Sequence, residues 1–136
     1  MEEKYNQIIN EVLDEITSAL KDPKGINFHQ RRLAFSLSLG TITLIEQYLN
    51  KIKVFKPGAT INHLWLKKKK DNVKKLIINQ ITCPIENIKK IDKILDFAFE
   101  LEKDRNAIAY GKSVSESTLK QKINIFLELK KEIEND

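Results

Sequence analysis

The chain is poor in the residues from which catalytic and metal sites are usually built. Its 136 residues include one cysteine (Cys83), two histidines (His29 and His63), one tryptophan (Trp65) and three arginines (Arg31, Arg32 and Arg105). A single cysteine allows neither an intramolecular disulfide nor a cysteine zinc site. Beside Pro84 it reads as a small packing residue. Two histidines cannot make a histidine-rich metal centre, and no HExxH pair is present. The chain also lacks a Gly-x-Ser-x-Gly elbow and the glycine-rich loops that cradle phosphates. Neither a metal nor a cofactor is therefore expected. No apolar run approaches the roughly 20 residues a membrane helix needs. The richest stretch, Leu33 to Leu49, is cut by Ser36, Ser38, Gly40, Thr41, Thr43, Glu46 and Gln47. Glu2, Glu3 and Lys4 follow Met1 without an apolar segment, so no secretory leader is expected. A cytoplasmic location without membrane contact follows.

What is present is a soluble, helix-forming composition. Hydrophobic residues make up 41% and charged residues 32%, in a chain whose length suits one domain over 1–136. The positive charge is local. Nine lysines and one acid between Lys51 and Lys75 give +8 against +5 for the whole chain, so the remainder carries −3. A concentrated basic patch favours a polyanion, and Lys67, Lys68, Lys69, Lys70 and Lys74 are its candidate nucleic-acid contacts. The plainer reading is a solvated face, because the 21 lysines accompany 19 isoleucines and 11 asparagines, a usage typical of A/T-rich coding sequence.

Apolar spacings of three and four predict an all-α, up-and-down bundle of about five helices. The first runs from about Glu3 to Leu20, with Tyr5, Ile9, Val12, Leu13, Ile16 and Leu20 as its stripe, and stops at Asp22-Pro23-Lys24-Gly25. The second starts near Asn27, a competent N-cap, and reaches Ile52. Its apolar girth makes it central or partner-facing, and Ala34, Ser36, Ser38, Gly40 and Thr41 permit close approach, within the bundle or across a dimer axis. The third begins after Pro57-Gly58, with a bend or break at Lys67–Lys70, and continues to Ile81. The fourth opens at Thr82-Cys83-Pro84 and runs to Tyr110-Gly111. The fifth starts at Ser113 or Ser115. Trp65, beside Ile61 and Leu64, is expected in the core rather than stacked on a nucleic-acid base.

Arg105 is the one charge this pattern points inward. A continuous fourth helix puts it on one face with Ile94, Phe97, Leu101 and Ile108. A buried guanidinium must be paired or have work to do, since an unpaired buried charge costs several kcal/mol. Asn106 and Tyr110 lie close by, and guanidinium, amide and phenol together can grip a phosphate or carboxylate. The alternative is an ordinary structural ion pair for Arg105, with Tyr110 packing at the helix end. The acids are expected on solvent faces.

The stretch Arg105…Ala107-Ile108-Ala109-Tyr110, followed by Ser113-Val114-Ser115-Glu116, resembles the HEPN (higher eukaryotes and prokaryotes nucleotide-binding) superfamily. So does Ile61-Asn62-His63-Leu64-Trp65-Leu66-Lys67, which looks like the opening of the middle helix in several such families. The helix order and lengths agree over nearly the whole chain. Family members carry Arg, four to six residues, then His, near the end of a long late helix, and Asn often follows the Arg. The resemblance implies an all-α scaffold, a homodimer, and RNA or a nucleotide as ligand. In its ribonucleases, Arg steadies the scissile phosphate and His moves the 2′-hydroxyl proton. Here Tyr110 stands at the His position, and a phenol of pKa about 10 is a poor base at neutral pH. The expectation is therefore a module that binds RNA, a nucleotide or a partner protein through Arg105, Asn106 and Tyr110. One alternative is a metal-independent endoribonuclease of toxin or defence type, using Arg105 with Tyr110 or His63. A nucleotidyltransferase-type protein would then be a candidate partner in a toxin–antitoxin pair. Another is a helical scaffold that recognises its partner through the second helix.

Overall fold

Helix α1 (Glu2–Lys21) opens the computed structural model, which describes residues 2–135. It buries Tyr5, Ile9, Val12, Ile16 and Ala19, one stripe at helical spacing. Ala19 completes that stripe where Leu20 was expected, and Leu20 is left exposed. The helix ends ahead of Pro23, whose ring cannot continue the ladder. Gly25, at φ 99°, then turns the chain in a conformation that L side chains resist.

The next helix begins differently from the expected Asn27 cap. Residues Ile26–His29 form a 3-10 turn, and the Asn27 amide is diverted to the Val114 carbonyl at 2.5 Å. Helix α2 (Gln30–Lys51) starts after it. The buried His29 ring is clamped between α1 and the α1–α2 turn, Nδ1 2.9 Å from Glu15 and Nε2 2.8 Å from Asp22.

Helix α2 is the axis of the fold. Helices from both ends of the chain pack on it, and little of its circumference is left to solvent. Ala34, Ser38, Gly40 and Thr41, four of its small residues, are buried in the bundle. A Cβ built on Gly40 would lie 2.6 Å from the ring of Phe126, which is wholly buried. The helix closes with Lys53 in the left-handed region at φ 62°. The Lys53 and Val54 amides donate back to the carbonyls of Asn50 and Leu49, which satisfies the last turn.

From there the chain runs extended beside the segment that follows α3 (Lys70–Ile78). The Lys56 amide donates to the Gln80 carbonyl and the Thr82 amide to that of Val54, around a single antiparallel bridge between Phe55 and Ile81. This pairing corrects two sequence expectations. The third helix does not begin at Ala59; residues 63–65 form only a 3-10 turn, capped by the Asn62 side chain accepting from the Leu64 amide at 2.9 Å. Four successive lysines give that stretch no apolar stripe to hold further helical turns. The fourth helix does not open at Thr82 either, because Thr82 is committed to the bridge. A 3-10 turn at Ile85–Asn87 leads instead to α4 (Ile91–Glu102).

The expected long fourth helix is also interrupted. It breaks at Lys103–Asp104 and resumes as α5 (Arg105–Tyr110). Helix α6 (Glu116–Glu134) follows, with Ser115 accepting from the Thr118 amide at 3.1 Å as its N-cap. The all-α bundle is as the periodicity implies. Apolar residues of α1, α2, α3, α4, α5 and α6 merge into a single buried cluster. No helix among the described residues is long and apolar enough to cross a membrane.

The Gly40–Phe126 contact gives a direct test. In a helix interior, Gly→Ala gains up to about 1 kcal/mol of propensity. Forcing a Cβ into a filled core costs about 1–3 kcal/mol. Phe126 cannot yield, so overpacking wins. Gly40→Ala should lose net stability of roughly 1–2 kcal/mol, read as a Tm lower by several degrees. An unchanged or raised Tm would refute this packing.

Candidate functional site

The break after Glu102 sets the local geometry. At the break, the buried Lys122 of α6 donates to the Glu100 carbonyl at 2.6 Å and to the Asp104 carboxylate at 2.8 Å. Two side chains of α2 hold the far end of α5. Gln30 donates to the carbonyls of Ile108 and Lys112 and accepts from the Val114 amide. Arg31 donates to the carbonyls of Ile108, Ala109 and Gly111. These donors replace the partners that helix-end carbonyls lack. A six-residue helix, too short to be stable alone, is thereby fixed at both ends.

Arg105 stands at the start of that helix, half-buried. The interruption breaks the register that a continuous helix would give it with Leu101, while Ile108 follows it on α5 itself. Its guanidinium lies 5.1 Å from the centre of the Phe35 ring, and Nη1 donates to the Asn106 side chain at 3.0 Å. Its Nε is buried without a hydrogen-bond partner, and Arg105 forms no ion pair among the described residues. No direct ion pair holds it, although its charge acts on the buried Glu102. Tyr110 is 70% exposed and meets the same Phe35 ring edge-on, at 5.8 Å and 73°. Phe35 is therefore the hub joining Arg105 and Tyr110. Helical spacing alone assigns Phe35 no more than a place in the apolar girth of α2.

The larger correction concerns the acids and His63. Not every acid faces solvent: Glu102 is only 3% exposed. The Ser38 hydroxyl of α2 donates to Glu102 Oε1 at 2.6 Å. His63 Nδ1 stands 3.7 Å from Glu102 Oε2, an ion-pair contact too long for a hydrogen bond. His63 is carried there by the segment returning from the Phe55–Ile81 bridge. The buried Ile61 and its amide, donating to Glu46 of α2 at 2.8 Å, pin that segment. No spacing between residues 63 and 105 could reveal this. The one available signal was the Asn62-His63-Leu64 cap pattern, which marks a turn but not its neighbours.

His63, Arg105, Ser38 and Phe35 line one open groove of about 440 Å³ between α2, the 60–63 segment and α5. Lys67, His63, Glu102 and Arg105 border a smaller hollow beside it. Burial is the largest influence on Glu102 and raises its pKa, against the lowering effects of Ser38, His63 and Arg105. The basic patch divides. Lys70 pairs with Asp96 at 2.8 Å and Lys74 with Asp92 at 2.5 Å, both acids on α4. Lys67, Lys68 and Lys69 form no ion pair among the described residues and remain exposed. Trp65 packs against the core. Among the described residues no group of His, Cys, Asp and Glu is arranged to hold a metal ion.

Glu102 has a pH signature of definite sign. An acid whose pKa rises on folding binds protons more readily in the folded state. Its contribution to stability therefore falls as pH climbs from the ordinary 4.5 through the raised value. Glu102→Gln keeps an acceptor for Ser38 but removes that titration. The melting temperature of the wild type, relative to the variant, should decline across this interval. Parallel Tm curves would refute the burial effect.

No family model, no curated protein and no solved structure matches this chain, so what the site can do rests on its own geometry.

Proposed function

We propose that the chain is a HEPN-like helical module that binds single-stranded RNA, holding its phosphates in the groove shared by Arg105 and His63. The single observation that carries this reading is a cation in no direct ion pair, set on an open groove. Arg105 is oriented by Phe35 and Asn106 and forms no salt bridge, so its charge is available to an anion. A guanidinium matches phosphate in shape as well as charge. Lys67 borders the adjoining hollow, and Lys68 and Lys69 continue the positive surface. Asn106 and Tyr110 supply an amide and an aromatic ring close to the same cation.

A second reading is favoured by one specific contact. His63 reaches the groove of Arg105 with Nδ1 towards a buried carboxylate and Nε2 free of hydrogen bonds among the described residues. That arrangement suits proton transfer from a 2′-hydroxyl as its oxygen attacks the adjacent phosphorus. The 5′-oxygen would leave, and a 2′,3′-cyclic phosphate would form without a metal. His63 would thus stand in space for the histidine that Tyr110 replaces in sequence. Tyr110 itself, exposed and phenolic, has no reason to be a base.

Fluorescence anisotropy with a labelled single-stranded RNA tests both readings. With about four phosphates contacted, the slope of log affinity on log salt is near −3, so affinity falls about 50-fold from 50 to 200 mM salt. Arg105→Ala should weaken binding and make that slope shallower by about 0.7. No binding at 50 mM salt would overturn the proposal. Cleavage in EDTA that His63→Ala abolishes would establish the nuclease reading instead.

The resemblance also implies a second copy of the chain, and the groove has an apolar rim suited to one. Leu39 and Phe35 line it and are exposed, Leu64 is exposed at the adjoining hollow, and the exposed Tyr110 touches Phe35. Leu39→Asp should convert a dimer to a monomer in analytical ultracentrifugation without lowering Tm. A wild type that is monomeric at tens of micromolar would exclude the dimer.

A further inference from the structure

A second groove, of about 650 Å³, lies between the lysine segment and α4 and is lined by Leu66, Lys67–Lys70, Val73, Leu95 and Phe99 among others. Leu66, Val73 and Leu95 are almost wholly buried and only back the surface. Phe99 is the exception, with 38% of its surface exposed. The exposed apolar floor is thus chiefly one aromatic face, which suits a planar ring better than a long alkyl chain. The rim carries four lysines against Asp96 and Glu100, the latter paired with Lys103, and its charges are not equivalent. Lys70 is tied to Asp96 across the groove, which fixes the wall. Lys67, Lys68 and Lys69 are free to close over an anionic occupant. Lys67 also borders the hollow shared by His63 and Arg105, so the two grooves adjoin.

We infer that this groove is a base-binding subsite for one nucleotide of the bound RNA strand. Its base stacks on Phe99, and its flanking phosphates are held by Lys67, Lys68 and Lys69. The inference rests on the RNA-binding reading and adds a selectivity to it. A phosphate track alone accepts any polyanion. A stacking platform requires an unpaired base, because a duplex hides the faces of its bases. The module then prefers single strands over duplexes and over polyanions without bases. Preference among the four bases is weak, since every base offers a π-face.

The test compares three ligands, a single-stranded RNA 12-mer, its duplex and inorganic polyphosphate, on the wild-type chain and on Phe99→Leu and Phe99→Trp. Leucine keeps the apolar bulk and hence the fold; tryptophan keeps an aromatic face. Phe99→Leu should weaken single-strand binding roughly 5- to 100-fold. Polyphosphate binding should move less than twofold, and Phe99→Trp should restore the wild-type affinity. Equal losses for RNA and polyphosphate, or no loss for either, would overturn the subsite and leave RNA binding intact. A wild type that binds no RNA would instead overturn the function on which the subsite rests.

Discussion

Lys122 sits where the late helix fails to continue, and the arrangement of the polar groove follows from it. Burying an ammonium group costs several kcal/mol unless its protons find partners. Here the partners are the Glu100 carbonyl, exposed by the break, and the Asp104 carboxylate just after it. The lysine and the break therefore require each other. In an unbroken helix the Glu100 carbonyl would accept from its own ladder, and Lys122 would be stranded in the core. With the break, Glu102 remains on the inward side and Arg105 swings out to Phe35. One backbone irregularity thus sets an acid and a base, three residues apart in sequence, on one hollow without a direct ion pair.

The same groove concentrates electrostatic cost. Glu102 is buried with one good hydrogen bond from Ser38 and one longer contact to His63. Arg105 leaves a buried Nε unsatisfied, a deficit worth about 1–3 kcal/mol. The surroundings supply rigidity to hold these groups in place. Gln30 and Arg31 fasten the end of α5 and the turn after it through six hydrogen bonds. Ile61 and Glu46 fasten the His63 segment. Strain of this kind persists where neighbours over-determine the geometry, and it clusters at functional sites. Away from the groove the charges are ordinary. Asp22 has its pKa lowered by the Lys24 amide and His29, and Asp92 by Lys74.

Legibility in the sequence followed the range of the interactions involved. Helix α1, most of α2 and the start of α6 are set by local periodicity and by Pro23 and Ser115, and these were readable. The apolar side chains of the core were largely readable for the same reason, since burial follows the three-and-four spacing. The exceptions are instructive. Thr82 looked like a cap but pairs with Val54, 28 residues away. Lys70 and Lys74 looked like part of a free basic run but face the acids of α4. His63 met Arg105 only through the bridge at Phe55–Ile81 and the Glu46 anchor. Each miss involves a polar contact between segments distant in the chain, for which periodicity carries no signal. Arg31 was overlooked because a guanidinium capping carbonyls of another helix resembles, in sequence, any surface arginine.

The neutralised lysines also bear on how such a surface could discriminate. Five free ammonium groups in a row would hold polyanions by long-range attraction alone, with little regard for shape. Asp92 and Asp96 remove two of them and hold Lys70 against the groove wall. Three exposed lysines and one oriented arginine remain, with Lys67 bordering both hollows. With so few charges, attraction is weak at physiological salt, where the screening length is about 8 Å. Affinity must then come from contacts that depend on geometry: the guanidinium set on Phe35, and the aromatic face of Phe99. On the proposed reading, pairing lysines with α4 acids lowers total attraction and makes what is left selective for the shape of an unpaired strand.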